Sequence, residues 1–192
     1  MYRTRVGYTG GRKKFPTYDS LGNHTEALQI DFEPTQISFA DIVDIFWKTH
    51  DPRCGIRSSQ YMTAIWFHDD TQRDIINAAK ESIEVLPSEK VQTPVMPLDV
   101  FYPAEDYHQK YCLQNSPLRS HFRAMYPKFD DFKNSTAAAR LNGFIAGEGS
   151  SQLYDEEHQN YGFQTEDLNR VIRLREPSGG AASCSNTGCT SD

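Results

Sequence analysis

The sequence predicts an α+β or α/β sandwich, a mixed β-sheet with helices packed on it, and we carry the α+β class forward. Three observations support it. RTRVGY (3–8) and EALQIDFE (26–33) alternate polar and apolar residues, the period of a strand with one buried face. FADIVDIFWKTH places Phe39, Ile42, Val43 and Phe46 at helical spacing, behind Ser38 and Asp41, which suit an N-terminal cap. From Pro177 the chain becomes Gly, Ala, Ser, Cys and Thr, with little to bury, which predicts a flexible tail. One domain over residues 1–176 and a tail over 177–192 follow.

In chain order, the first strand runs into a turn at Gly10-Gly11, and residues 12–23, with Pro16, Gly22 and Asn23, read as a loop. The second strand has Ala27 or Leu28, Ile30 and Phe32 on its apolar side and ends at Pro34. After the first helix, residues 51–59 are a loop and QYMTAIWFH (60–68) a third strand. Residues 69–84 predict a helix opening with Asp69-Asp70, where negative charge suits the N-terminus. Short extended pieces at 91–96 and 98–102 precede YPAEDYHQKY, which predicts a helix starting after Pro103. Residues 117–145 hold further helical pieces. LNGFIAGEG (141–149) reads as a strand or turn, and EDLNRVIR (166–173) as a short helix.

The 192 residues are 38% hydrophobic and 24% charged, the profile of a soluble globular protein with a core to bury. A net charge of −6, with no basic cluster interleaved with aromatics, excludes nucleic acid and an anionic membrane as partners. No apolar run approaches a membrane span. MYRTRVGYTGG lacks the features of a signal or transit peptide, so a cytoplasmic monomer is expected. Four cysteines, Cys54, Cys112, Cys184 and Cys189, form neither a disulfide framework nor a zinc spacing.

Five local groups can carry chemistry. Glycines in Gly7-Tyr8-Thr9-Gly10-Gly11, followed by Pro16-Thr17-Tyr18, allow close backbone approach to a ligand. The plainer alternative is a turn beside a surface tyrosine. Glu26, after His24 at a strand mouth, can act as a general acid if half-buried and protonated; otherwise it is a solvated carboxylate. Tyr61 can donate a hydrogen bond into a pocket or be an ordinary amphipathic tyrosine. Glu105, Asp106, Tyr107 and His108 can brace a site from behind, or cap a solvated helix start. Cys184 and Cys189 sit where nothing can bury them. Thiols on a flexible arm suit disulfide exchange, or are an incidental reduced pair.

VGYTGG, PTY, HTEALQIDFEP, DIFWKTHDP, QYMTAIWFHD and FYPAEDYHQKY, in that order, resemble the methionine sulfoxide reductase A family in its animal subtype. The resemblance runs from about residue 3 to 115, continues loosely through LNGFIAGEG, and leaves a tail similar to the family's resolving-cysteine tails. It implies a ferredoxin-like two-layer sandwich. It implies reduction of methionine S-sulfoxide, in proteins or free, to methionine. In that chemistry a cysteine becomes a sulfenic acid, a resolving cysteine forms a disulfide, and thioredoxin reduces it, with no metal or bound cofactor. On this resemblance Glu26 is the acid, Tyr18 and Tyr61 hold the sulfoxide oxygen, Cys184 and Cys189 resolve, and His24 with residues 105–108 line or support the pocket.

Two departures qualify it. The family's Gly-Cys-Phe-Trp nucleophile motif lies upstream of the segment matching RTRVGY, so the chain is expected to be N-terminally truncated, with little or no activity. The short loop RCGIRSS stands where many members carry an Asn-Asp stretch, so the usual active-site aspartate is missing. Cys54 and Cys112 are weak substitutes, since a nucleophile needs an activated thiolate in fixed geometry. A non-catalytic sulfoxide-binding module or an inactive fragment is the rival expectation.

Overall fold

The computed structural model describes residues 2–56, 58–84, 86, 90–149, 152 and 156. The described residues divide into two compact units: Val6–Ala104, and Tyr2–Arg5 with the described residues from Glu105 to Gly149.

In the first unit, β1 (Arg3–Thr9), which enters it at Val6, is the central strand of a sheet ordered β2-β1-β5. β2 is Thr25–Asp31 and β5 is Tyr102–Pro103. β1 and β5 run antiparallel, with Gly7 opposite Pro103 and Tyr8 opposite Tyr102. A second, parallel pair joins β3 (Ile65–Phe67) to β4 (Val95–Pro97). The α+β class is thus that of the structure, with its strands divided between two small sheets.

α1 (Phe39–Lys48) forms as the sequence predicts. The Ser38 hydroxyl accepts from the Asp41 N–H at 3.1 Å, and Asp41 Oδ2 accepts from the Ser38 N–H at 3.0 Å. This reciprocal cap satisfies two backbone donors that helix geometry leaves open. The Ser38 hydroxyl, which also donates to Asp41 Oδ2 at 2.6 Å, and then the Ser38 N–H hold the Asp41 carboxyl below its ordinary pKa. α2 (Asp70–Ile83) is capped by Asp69, whose carboxylate accepts from the Gln72 N–H at 2.8 Å. Val43, Trp47, Ile76 and Val91 make the buried core here, with Phe39, Phe46, Ile65, Phe67 and Val95 packed on it. A separate cluster of Tyr8, Leu21 and Ala104, backed by Val6 and Tyr102, underlies the three-stranded sheet.

The second unit is helical. A 3-10 turn (Asp106–His108) leads to α3 (Tyr111–Gln114), α4 (Arg119–Met125), α5 (Phe129–Asn134) and α6 (Thr136–Ile145). Leu113, Leu118, Phe122, Phe132, Ala138, Leu141 and Phe144 form its core.

Four expectations change. The third strand covers only Ile65–Phe67, and at the start of the predicted stretch the Gln60 carbonyl serves a different backbone bond, described below. Leu28 is 56% exposed, so β2 buries no continuous apolar face. No helix starts directly after Pro103: Lys110 adopts φ 51°, a left-handed conformation that separates the 3-10 turn from α3. Leu141–Ile145 are helical, the end of α6, whose cap is the Ser135 hydroxyl accepting from Ala138 N–H at 3.0 Å. The helix expected over 166–173 and the tail lie outside the described residues. Among the described residues no helix is long and apolar enough to cross a membrane.

Candidate functional site

The foundation of the site is the turn that follows β1. Gly10 has φ +79°, which L side chains rarely adopt, and its Cα–H face lies against the half-buried Trp66 indole: a Cβ there would stand 3.4 Å from the ring. A Cβ on Gly11 would stand 2.5 Å from the His24 ring and 2.6 Å from the His24 backbone nitrogen. Only glycine admits this approach.

What the approach allows is a hydrogen-bonded rivet. The Gly11 N–H donates to His24 Nδ1 at 3.1 Å, and His24 Nε2 lies 2.7 Å from the Lys13 carbonyl oxygen. A ring nitrogen that accepts from an amide cannot carry a proton, so Nδ1 accepts and Nε2 donates. The ring is 1% exposed and packs edge-on to Tyr102, with centroids 5.6 Å apart. His24, expected to line or support a pocket, is therefore a buried brace that ties residues 11–13 to the start of β2.

Thr25 and Glu26 then clamp the loop that leads towards β3. The buried Thr25 hydroxyl donates to the Ser59 carbonyl at 2.7 Å. The Glu26 N–H donates to the Gln60 carbonyl at 3.0 Å. The second of these bonds takes Gln60 out of the predicted strand, and Gln60 and Tyr61 lie in a turn beside Glu26.

The side chains above this clamp form a chain. Gln60 Nε2 donates to Glu26 Oε1 at 2.9 Å and to the Tyr61 hydroxyl at 3.0 Å. The Tyr61 phenol is hydrogen-bonded in turn to Tyr18. That bond is the main reason its pKa lies above the ordinary tyrosine value. Desolvation and the nearby Tyr18 and Glu26 act in the same direction, while the hydrogen bond from Gln60 opposes them. Tyr18, Glu26 and Tyr61 are thus brought together. They face solvent, with Tyr18 40% and Tyr61 59% exposed and Glu26 also exposed. The half-buried setting expected for Glu26 is not present: His24 and the first residue of β2, Thr25, are buried, and Glu26 is exposed. Gln60 is the member of the chain that sequence reasoning missed. It stood beside Tyr61 in view, but nothing local shows which acceptors an amide will find.

Residues 105–108 belong to the second unit. There His108 Nε2 lies 3.9 Å from Glu105 Oε2, the Tyr107 and His108 rings are 4.1 Å apart, and the Asp106 carbonyl accepts from Gln114 Nε2 at 2.7 Å. Of the cysteines, Cys54 is disulfide-bonded and Cys112 is a half-buried thiol. Cys54 Sγ lies 3.7 Å from Asp51 Oδ2, and a disulfide sulfur has no proton to donate there. Cys184 and Cys189 lie outside the described residues. Among the described residues no cluster of His, Cys, Asp and Glu could hold a metal ion.

A bridged carboxyl and two adjoining phenols present donors and a proton-transfer group to one small region. That arrangement suits a strongly polarised oxygen acceptor.

The chain is similar to proteins for which that chemistry is named. A peptide methionine sulfoxide reductase of Drosophila melanogaster is 38% identical over 166 residues, covering 84% of this chain and 66% of the relative. A peptide methionine sulfoxide reductase MsrA of Methanosarcina mazei is 38% identical over 132 residues, covering 63% of each. The chain thus spans about two thirds of the length of these relatives or a little less. Among solved structures, reduced Mxr1 from Saccharomyces cerevisiae superposes with a TM-score of 0.53 at 26% identity, covering 58% of this chain and 70% of that one. The family profile described as peptide methionine sulfoxide reductase matches residues 1–141. With most of its length matched in this way, the chain belongs to the peptide methionine sulfoxide reductase family.

Proposed function

We propose that the protein binds methionine S-sulfoxide, in oxidised proteins and free, and serves its reduction to methionine in oxidative-damage repair, with thioredoxin as the external reductant. The observation that carries this reading is the hydrogen-bonded chain of Glu26, Gln60, Tyr61 and Tyr18. A sulfoxide oxygen bears a large negative partial charge. Two phenolic O–H groups can donate to it, and the exposed Glu26 carboxylate, held beside them by Gln60, can pick up a proton from solvent and pass it on as the S–O bond breaks.

The redox step needs a thiol. A thiolate attacks the sulfoxide sulfur, oxygen passes to the thiol as sulfenic acid, and the methionine sulfur is reduced. A second thiol condenses with the sulfenic acid, forming a disulfide and releasing water, and a dithiol such as reduced thioredoxin returns both sulfurs to thiols. Cys184 and Cys189 are assigned the second role. The 192 residues contain no Gly-Cys-Phe-Trp stretch, so this chain by itself holds the sulfoxide with little turnover. It acts in the cytoplasm as a monomer, with no bound metal or organic cofactor.

Two measurements test the reading together. Calorimetry with a peptide containing methionine S-sulfoxide is expected to show binding that the unoxidised peptide lacks. A stopped assay on dabsylated methionine S-sulfoxide, with thioredoxin or dithiothreitol, is expected to show turnover far below that of a longer relative. Absence of binding overturns the assignment of substrate. Turnover equal to the relative's overturns the expected low activity and points to another cysteine as nucleophile. A non-catalytic binding module is the second reading, favoured by a donor set that is assembled without the nucleophile motif; binding with no turnover at all supports it.

A further inference from the structure

Gln60 has two amide hydrogens, and both are used: one on Glu26 Oε1 at 2.9 Å, the other on the Tyr61 hydroxyl at 3.0 Å. Its orientation is set by chemistry. Flipping the amide would place a carbonyl oxygen against a carboxylate, a contact between two acceptors. Its backbone is fixed as well, since its carbonyl accepts from the Glu26 N–H. The residue is therefore held at both ends of the interaction it mediates.

A carboxylate and a phenol that share one amide nitrogen as donor are near enough for a direct bond to form if the amide is removed. The phenol O–H would donate to the carboxylate in a short, charge-assisted hydrogen bond, stronger than one between neutral groups. The proton would then be spent inside the protein. Gln60 stands between the two, with its Nε2 donating to Glu26 Oε1 and to the Tyr61 hydroxyl, and so takes the place of a direct bond. The phenol keeps its one hydrogen for a third group, which here is Tyr18.

We propose that Gln60 is a positioning residue that separates Glu26 from Tyr61 and keeps the Tyr61 O–H available to an incoming sulfoxide oxygen. The inference rests on the substrate reading above, and its test can fail independently of that reading. A substrate oxygen displaces Tyr18 as the acceptor of the Tyr61 proton, while the amide remains on the phenol's lone pair. The ionisable groups acting on Tyr61 in this arrangement are Tyr18 and Glu26, and the amide bond is the influence that lowers its pKa.

The decisive experiment is ultraviolet titration of Tyr61, isolated as the difference between each protein and its Tyr61→Phe counterpart. Gln60→Leu is expected to raise the Tyr61 midpoint by about half a pH unit or more, because a donor is lost and a bond to the Glu26 carboxylate forms. Adding Glu26→Gln to Gln60→Leu is expected to bring the midpoint back down. A role confined to packing would lower the melting temperature without a Glu26-dependent shift. A midpoint unmoved in Gln60→Leu, or a shift unchanged in the double variant, overturns the proposal. Should Gln60→Leu not fold, Gln60→Met, unbranched and equally free of donors, gives the same readings. In calorimetry Gln60→Leu is expected to weaken sulfoxide-peptide binding about tenfold. If the wild-type protein does not bind the peptide, the substrate reading falls while the titration still decides the role of Gln60. If it binds and Gln60→Leu binds equally well, the positioning role falls alone.

Discussion

Thr25 and Glu26 are neighbours on β2, and their surroundings are opposite. Thr25 is 1% exposed, with its hydroxyl on the Ser59 carbonyl; Glu26 is exposed, with its carboxylate on Gln60. The lower layer consists of the Gly11 amide, His24, Thr25 and the Ser59 carbonyl. The upper layer consists of Tyr18, Glu26, Gln60 and Tyr61. Below, the His24 ring and the Thr25 hydroxyl are almost fully buried, so losing a partner leaves a desolvated polar group at a cost of about 1–3 kcal/mol. Above, water can replace any partner, so loss costs little in folding. The difference separates two tasks: the buried layer holds the loop in place, and the solvated layer is left free to do chemistry.

Gly11→Ala is the severest way to break the lower layer. Its Cβ would collide with the His24 ring and backbone at 2.5–2.6 Å, so the turn and the imidazole must move apart. A loss of roughly 2–4 kcal/mol in unfolding free energy is expected from overpacking together with broken hydrogen bonds, read by urea denaturation. A loss under about 0.5 kcal/mol would show that the rivet does not hold the turn.

Lys110, in the second unit, sharpens the contrast from another side. It is a buried group that lacks the satisfaction His24 and Thr25 enjoy. The side chain is 4% exposed, and its ammonium rests on the Thr4 carbonyl at 2.5 Å and the Thr4 hydroxyl at 3.0 Å, both neutral acceptors. Desolvation, with a smaller contribution from nearby Arg5, lowers its pKa from 10.5 to about 8. Between those two values the unfolded chain binds a proton that the folded chain does not, so stability rises with pH across that window. The contribution is on the order of 1–3 kcal/mol, present in full above pH 10.5 and absent below pH 8. Unfolding measured from pH 7 to 11 should show the rise in the wild-type protein and not in Lys110→Met. Parallel curves for the two would refute it.

Glu26→Gln is the smallest change in stability and a large one in function. Solvent replaces the lost contacts, so unfolding free energy should move by no more than about 0.5 kcal/mol. Affinity for a sulfoxide peptide, by calorimetry, should fall several-fold. A destabilisation above about 1 kcal/mol would mean that the two layers are not energetically distinct.

The sequence carried the parts of this arrangement that are local. α1 was legible because Ser38, Asp41 and four spaced apolar residues all lie within nine positions. α2 was legible from Asp69 and its following turn. α6 was misread, because the glycines of LNGFIAGEG suggested a break. The helix instead runs through Gly143, where a Cβ would meet nothing within 4 Å. The informative residue was Ser135, six positions before the stretch examined for a strand. QYMTAIWFH has the composition of a strand over its whole length, yet Gln60 gives its carbonyl to Glu26, a pairing between residues 34 apart. Tyr18, Glu26 and Tyr61 could be picked out only through family resemblance, since each alone reads as a surface residue. Gln60 could not be picked out in this way, because the partners of one amide are decided by tertiary contacts.

The close approach of Gly10 to Trp66 has an optical consequence. The protein has two tryptophans: Trp47 lies in the α1 core, and Trp66 faces the turn that His24 pins. The Trp66 indole N–H is buried and has no acceptor among the described residues, so its emission depends on the backbone against its face. With Trp47 changed to phenylalanine, fluorescence from the remaining indole becomes a built-in gauge of that turn. It can follow seating of a ligand or loss of the brace in real time, with no label attached.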